Sequence, residues 1–201
     1  AAPTGYSRSE SVSKKRPTGI VGLNLLLDGG FPKGTLIMVY GSPTAGIDIA
    51  ARQFWRAEGS EVGTYLMNDG DPDVGMVNVG DVHPGMYQDW LIGDRMVIDS
   101  LSSIVIKYGI DGTLAFLRQA REETRETKAN TLFRVYTGVH EPIEMTRLMR
   151  LSDIVIEYKT QISQSDIERT LAVQKIKGAA APQRLLPFII TDNGIEASTT
   201  S

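Results

Sequence analysis

Cysteine is absent from this sequence, histidine occurs twice, and aromatic residues make up only 7% of the chain. The absence of cysteine excludes disulfides, thiolate zinc sites, iron–sulfur clusters and cysteine nucleophiles. No apolar run approaches the length of about 18 residues that a membrane-spanning helix needs, because Gly, Pro or a charged residue interrupts each one. The first residues also lack the apolar stretch of a signal peptide. We therefore expect a cytoplasmic protein with no membrane partner.

Excess charge of either sign is also small. The 21 basic and 24 acidic residues give a net charge of −3, so the sequence does not favour nucleic acid as a partner, although a local basic patch is compatible with it. Residues 1–16 hold four basic residues and one acid, which leaves −6 for the rest. This stretch is rich in Ser and poor in apolar residues, so we predict a flexible arm over residues 1–15, with a strand lent to a neighbouring subunit as the alternative. One domain is expected over residues 16–201.

Strand-like and helix-like patterns alternate along the chain. The sequence predicts strands at 35–40, 62–67, 96–98, 131–137 and 154–158, and helices at 47–56, 110–128 and 141–150. Beyond residue 158 only strands are predicted, at 170–175, 187–191 and 194–196, with turns between them. Such an order indicates an α/β fold: a mainly parallel sheet flanked by helices, with an antiparallel β extension at its C-terminal end.

A glycine loop joins the strand at 35–40 to the helix at 47–56. Loops of this kind hold phosphate, since their amides and the helix dipole face the anion. The P-loop pattern G-x-x-x-x-G-K-[ST] needs a Lys for the phosphates and a hydroxyl for Mg²⁺, but Ile47 and Asp48 stand at those places. Each such charge contact is worth about 4 kcal/mol at an effective dielectric near 20, so no ordinary Mg·ATP binding is predicted. The vestigial nucleotide-binding residues are Gly41, Ser42, Pro43, Thr44, Ala45, Gly46, Ile47 and Asp48.

Two alternatives remain for this loop. Its amides could bind a pyrophosphate or a nucleoside weakly. The loop could also be kept only because the junction between strand and helix needs it, and the sequence favours this second interpretation.

Three separated blocks carry a resemblance to a known family. They are RPTGIVGL and LLDGGFPKG (16–23 and 26–34) before the loop, MVIDSLS (96–102), and KIKG with PFIITDNGI (175–178 and 187–195). Over residues 16–196 the sequence resembles the KaiC-like branch of RecA-type ATPases, of the archaeal type. The resemblance implies a RecA-like P-loop NTPase core that assembles into rings or filaments, with ATP held between subunits.

The resemblance also implies roles for single residues. Asp99 stands where the family has the acid that binds Mg²⁺, and Asp69 where it has a Glu-Glu general-base pair. Lys175 and Lys177 match the Lys-x-Arg that reaches the nucleotide of the neighbouring subunit. With Lys in place of Arg at 177 the bidentate fork is lost. Without bound phosphate, both lysines are expected to be solvated surface residues.

The altered residues Ile47, Asp48 and Asp69 together predict that hydrolysis has been lost. We expect a degenerate KaiC/RecA-like protein without a cofactor, acting as a regulatory or scaffolding subunit of a homo-oligomer or of a mixed ring with a KaiC/RecA-like paralogue. One alternative is an active ATPase in which Asp48 and Asp99 hold the magnesium of Mg·ATP. Another is a DNA-binding recombination accessory, whose groove would use Tyr136, Arg134, Arg147 and Arg150.

The remaining polar clusters favour simpler interpretations. Asp69, Asp71 and Asp73 lack the Gly and Glu that an EF-hand needs. A divalent cation held by Asp48, Asp69 and Asp99 without ATP is weighed against solvated acids, and the latter are favoured. His83 and His140 are expected in surface loops, without a serine partner. The mixed charges from Arg118 to Lys128 are typical of a solvated helix face with Arg–Glu pairs.

Overall fold

The chain begins with a short strand and helix and then alternates between strands and helices. The computed structural model describes residues 14–57, 59 and 61–197. The elements in chain order are β1 (Lys15–Arg16), α1 (Val21–Leu26), β2 (Phe31–Pro32), β3 (Thr35–Gly41), α2 (Ile47–Arg56), β4 (Gly63–Met67), β5 (Val77–Asn78), a 3₁₀ helix (Pro84–Asp89), β6 (Arg95–Asp99), α3 (Leu101–Thr127), β7 (Asn130–Tyr136), α4 (Pro142–Leu151), β8 (Ile154–Ile162), β9 (Ile167–Ile176), β10 (Leu186–Thr191) and β11 (Gly194–Ala197).

Nine of the strands form one sheet in the order β11-β10-β9-β8-β3-β7-β6-β4-β5. The strands from β8 to β5 in this order pair in parallel. Strands β9, β10 and β11 continue the sheet with antiparallel pairing. The α/β class with a mainly parallel sheet and an antiparallel C-terminal extension is therefore confirmed.

Helices cover both faces of this sheet. Side chains alternate along β3, so that Ile37 and Val39 join the core beneath α2 while Leu36 and Met38 join the core beneath α3 and α4. Helix α2 contributes its buried face of Ile47, Ala50, Ala51 and Phe54 to the first core. The two-residue alternation of a strand thus builds two apolar layers from one short sequence.

Helix α3 (Leu101–Thr127) is longer than the helix predicted over 110–128, because it begins nine residues earlier. It begins at Leu101, and the Oγ of its N-cap residue Ser100 accepts a hydrogen bond from the amide of Ser103. Gly109 interrupts the regular helix with a φ of +78°, in the left-handed region that glycine adopts readily. The prediction therefore covered only the part that follows the kink, and it also omitted α1 and the 3₁₀ helix.

The N-terminal segment is anchored to the sheet from residue 15 onward. The predicted flexible arm lies outside the described residues up to residue 13, whereas Lys15 belongs to β1 and pairs with Pro32. The Nε atoms of Arg16 and Arg95 both donate to Oε2 of Glu61, at 2.8 and 2.9 Å. Both arginines are buried, and the shared carboxylate ties the start of the domain to the beginning of β6.

Within residues 14–57, 59 and 61–197, no helix combines the length and the apolar character that crossing a bilayer requires.

Candidate functional site

The carboxyl ends of the parallel strands form one edge of the sheet. Strand β3 ends at Gly41, β4 at Met67, β6 at Asp99 and β7 at Tyr136, and each is followed by a polar or glycine-rich segment. Ligands of open α/β sheets collect at this edge, where the connections between strands and helices can surround them. The glycine loop, Asp69 and Asp99 all lie here, as the sequence predicts.

The glycine loop packs on itself. The amide of Ala45 donates to the carbonyl of Ser42 at 3.0 Å, so this N–H is used within the loop. Ala45 and Ile47 are fully buried. A Cβ atom placed on Gly41 would lie 3.1 Å from the Cβ of Ala45 and 3.3 Å from the Cγ2 of Ile47. Apolar side chains therefore fill the space beside Gly41.

The C-terminal hairpin, formed by β10 and β11, packs against the same glycine loop. A Cβ atom on Gly46, which precedes α2 with a φ of +94°, would lie 3.2 Å from Cδ1 of Ile190 and 3.5 Å from Cδ1 of Ile195. Ile47 belongs to the same buried cluster as Ile195 and Phe188. The position that a phosphate-binding lysine would occupy is thus part of the apolar core.

Asp48 pairs along its own helix. Its Oδ2 lies 3.4 Å from NH1 of Arg52, and Nε of Arg52 donates to Asp73 at 2.7 Å. Burial opposes the charge of Arg52, but Asp73 and Asp48 outweigh it and raise the pKa of the guanidinium. Asp48 and Asp73 therefore share one cation at the start of α2.

Asp99 is completely buried at the end of β6. Its carboxylate accepts hydrogen bonds from the guanidinium of Arg134 on β7 and from the hydroxyl of Tyr65 on β4. Burial raises the pKa of Asp99, while Arg134 and Tyr65 act in the opposite direction. Burial and the charge of Asp99 both raise the pKa of Tyr65. The residue predicted to bind metal is therefore at the expected edge, but it is bonded to a cation of the chain itself.

Asp69 is held by two hydroxyls at the beginning of α3. Its Oδ2 accepts from Oγ of Ser100 at 2.5 Å and from Oγ of Ser103 at 2.9 Å. The amide side chain of Asn68 exchanges two hydrogen bonds with the backbone of Ser100, at 2.7 and 2.9 Å. Asp69 is exposed to solvent and lies near the N-terminus of a helix, where a negative charge is favourable.

Asp48, Asp69 and Asp99 do not form a ligand set. In the described part of the chain, no group of three or more His, Asp or Glu side chains is arranged to hold a metal ion. Each of the three aspartates instead has its own partners, which are Arg52, two serines and Arg134 respectively.

His83 is exposed as expected, and His140 lies in a loop as predicted, but the His140 side chain is buried and has the serine partner that the prediction excluded. Only 2% of the His140 side chain is accessible, and its Nε2 lies 2.7 Å from Oγ of Ser102. Burial lowers the pKa of His140, against the opposing charge of Glu144 at 3.8 Å. Ser102 is itself buried and also accepts from the amide of Tyr136 at 2.9 Å. The pair therefore joins α3 to the segment before α4, and its hydroxyl is not open to a substrate.

Lys175 and Lys177 lie at the opposite edge of the sheet, because Ile176 pairs with the first residue of β8. The Nζ of Lys175 donates to the carbonyls of Met149, Arg150 and Ser152, at 3.1, 3.1 and 2.6 Å. Lys175 is therefore a C-terminal cap of α4, and the expectation of a solvated surface lysine is wrong for it. The Lys177 side chain is 60% exposed and lies 3.9 Å from Asp153.

The basic residues considered for a DNA groove do not form one surface. Arg134 is buried against Asp99. Arg147 and Arg150 on α4 instead face Arg118 and Arg121 on α3 across a groove of about 370 Å³, which we call the arginine groove. Part of the helix face predicted to be solvated therefore lines a concave surface.

Comparison with known proteins assigns a family. The model of a family of unknown function (DUF7125) matches residues 81–200. The chain belongs to this family. No curated protein matches the DUF7125 chain.

A solved structure shows the fold of this DUF7125 member. The KaiC-like protein PH0186 from the hyperthermophilic archaeon Pyrococcus horikoshii OT3 aligns with a TM-score of 0.73 and 20% sequence identity, over 92% of this chain and 98% of that protein. At this level of identity the likeness establishes the fold alone. The expected KaiC-like, RecA-type fold is confirmed.

Proposed function

We propose that this chain is a non-hydrolysing member of the KaiC/RecA-like group that acts as a regulatory or scaffolding subunit of an oligomer. The observation that carries the proposal is the bond between Arg134 and Asp99. A magnesium ion at Asp99 would have to displace a buried guanidinium and leave that charge without its partner, which is costly in a site closed to water. The pair supports a site that works without Mg·ATP.

The glycine loop supports the same conclusion independently. The Ile47 side chain is fully buried in the core, and Asp48 adds a negative charge where a triphosphate would need a positive one. The amide of Ala45 is already bonded to Ser42. The loop therefore lacks the positive charge that a phosphate requires, and buried side chains fill the space beside it. One of the backbone amides that would bind phosphate is already used within the loop.

Opposite charges at the two edges of the sheet support the proposed head-to-tail oligomer. Asp69 and Asp71 are exposed beyond the carboxyl end of β4, and Lys177 is exposed at the opposite edge. A head-to-tail contact, in a homo-oligomer or in a mixed ring with a KaiC/RecA-like paralogue, would bring these opposite charges together. In such a contact Lys177 reaches the neighbouring subunit, while Lys175 caps its own helix.

The two alternatives have less support. An active ATPase that holds magnesium through Asp48 and Asp99 requires both acids to leave Arg52 and Arg134. A recombination accessory that binds single strands needs aromatic side chains beside its basic groove. Arg134 and Tyr136 lie at the carboxyl edge instead and contact each other.

Thermal unfolding with added nucleotide tests the loss of binding at the loop. A ligand at one hundred times its dissociation constant adds about 2.7 kcal/mol to the free energy of unfolding, so a real site gives a clear shift. We expect no shift with ATP, ADP or AMP and Mg²⁺ in a variant that carries Arg118→Gln and Arg150→Gln, which removes the contribution of the arginine groove. A shift in that variant, or ATP hydrolysis by the native chain, would overturn the proposal.

Native mass measurement over a range of concentrations tests the assembly. We expect oligomers of the chain alone or with a KaiC/RecA-like paralogue, and a shift towards smaller species for Lys177→Glu. Lys159→Glu is the matched control, because Lys159 is exposed on β8. A strict monomer under all these conditions contradicts the scaffolding role.

A further inference from the structure

The arginine groove lies between α3 and α4, towards the C-terminal half of each helix. Four arginines line it, together with the side chains of two leucines: Arg118, Arg121, Arg147, Arg150, Leu114 and Leu151. Both helices run from the carboxyl edge of the sheet towards its amino edge. The groove therefore lies away from the glycine loop and belongs to a different part of the molecule.

Positive charge in the groove is only partly balanced. Arg118 and Arg150 form no ion pair with any residue that the structure describes. The Nε of Arg121 is buried without a hydrogen-bond partner, 3.7 Å from Oε1 of Glu122. Arg147 bonds Asp111 at 2.8 Å, but the side chain of Asp111 is 85% exposed and lies outside the lining.

Lys175 adds a further cation beside the groove. Burial lowers its pKa, and the charges of Lys177, Arg121 and Arg150 act in the same direction, against Asp153. Like charges repel one another, so a bound anion would stabilise this cluster. The arginine groove thus carries an excess of positive charge.

We propose that the arginine groove binds a compact phosphate anion of several charges, such as pyrophosphate, tripolyphosphate or the triphosphate group of a nucleotide. Each guanidinium presents paired N–H donors that match two phosphate oxygens, and such charge-assisted bonds are short and strong. The volume of about 370 Å³ lies within the range of small-molecule sites. The lining has no aromatic side chain, so it offers no platform on which a base or a single strand would stack.

Calorimetric titration with pyrophosphate and tripolyphosphate at low ionic strength tests the site. Arg118→Gln and Arg150→Gln each remove a charge that no ion pair uses, so both variants are expected to fold. Each should weaken binding about tenfold, equivalent to about 1.4 kcal/mol. Arg56→Gln is the matched control, since Arg56 is exposed at the end of α2 on the other face of the sheet. We expect the affinity of the control to equal that of the native chain.

Several results would overturn the proposal. One is the absence of binding of both phosphates at low salt, and another is an equal loss of affinity in the Arg56→Gln control. A third is a single-stranded oligonucleotide that binds through Arg118 and Arg150 while neither phosphate binds, which would identify a nucleic-acid surface.

Titration with ATP identifies which site a nucleotide uses. Binding that weakens about tenfold in Arg118→Gln belongs to the arginine groove and supports this proposal. Binding that is unchanged in both groove variants places the nucleotide elsewhere and, if the simple phosphates also fail to bind, excludes the groove.

Discussion

The guanidinium of Arg134 and the carboxylate of Asp99 bond to each other between neighbouring strands, with side-chain exposures of 6% and 0%. Arg134 also donates to the hydroxyl of Tyr136 at 3.1 Å, and Tyr65 donates to the other oxygen of Asp99. These contacts give the buried ion pair several hydrogen bonds at once. A pair of this kind contributes little net stability, but removal of one member leaves an uncompensated buried charge.

Arg134→Gln should therefore destabilise the protein by about 3–5 kcal/mol, as expected when a buried ion pair loses one partner. Urea denaturation followed by circular dichroism measures the change in the free energy of unfolding. The double variant Arg134→Gln with Asp99→Asn is the control and should recover part of the loss, because no buried charge remains. A loss below about 1 kcal/mol in the single variant would contradict the expectation that an uncompensated charge remains at Asp99.

Substitutions of Ile47 and Asp48 should affect stability differently, because Ile47 packs in the core and Asp48 forms a partly exposed ion pair. Ile47→Ala removes buried methyl groups and should cost about 2–5 kcal/mol. Asp48→Thr loses only a partly exposed pair with Arg52 and should change the free energy of unfolding by less than about 1 kcal/mol. Urea denaturation distinguishes them. Equal small effects would mean that the loop residues do not share the core of the C-terminal hairpin.

Lys175 and Lys177 should differ although both lie at the end of β9. Lys175→Met removes a cation that satisfies three carbonyls at the end of α4, and we expect a cost of about 1–2 kcal/mol. Lys177→Met removes an exposed side chain and should alter the stability of the subunit by less than about 0.5 kcal/mol. Thermal unfolding at low protein concentration provides the comparison. The reverse ranking would contradict the capping role of Lys175.

Stability should fall as the pH drops below the ordinary pKa of histidine, about 6.5, because His140 is buried and its pKa is lowered. Below this pH the native protein binds fewer protons than the unfolded chain. The free energy of unfolding therefore rises with pH through this range and decreases as the solution becomes more acidic. His140→Gln should flatten this slope, whereas His83→Gln should retain it. The check is a series of urea denaturations between about pH 5 and pH 8. An unchanged slope in His140→Gln would show that other groups cause the dependence.

Much of the fold could be predicted from local sequence patterns. The apolar strand at 35–40, the glycine loop and the helix at 47–56 follow one another along the chain, and each has a pattern of its own. The first half of α3 was not predicted, since Ile104, Val105 and Ile106 form a β-branched and apolar run that is more typical of a strand. Its helical state depends on packing against the sheet, which no local pattern records.

The sequence predicted where the residues of the candidate site lie along the chain, but it did not predict the contacts between distant residues. The pair of Arg134 and Asp99 joins residues 35 positions apart, and it depends on β6 and β7 being neighbours in the sheet. An arginine within the apolar strand at 131–137 was the available signal, because a buried arginine requires an acid. The contact between His140 and Ser102 likewise depends on tertiary structure, and so does the capping role of Lys175.

The cation that faces Asp99 is part of the polypeptide. It is present in every folded molecule, in a one-to-one ratio with the acid, and no chelator can extract it. In the proposed function, its occupancy does not depend on the cellular supply of magnesium or on the ratio of ATP to ADP. The cation beside Asp99 is thus in place once the chain has folded.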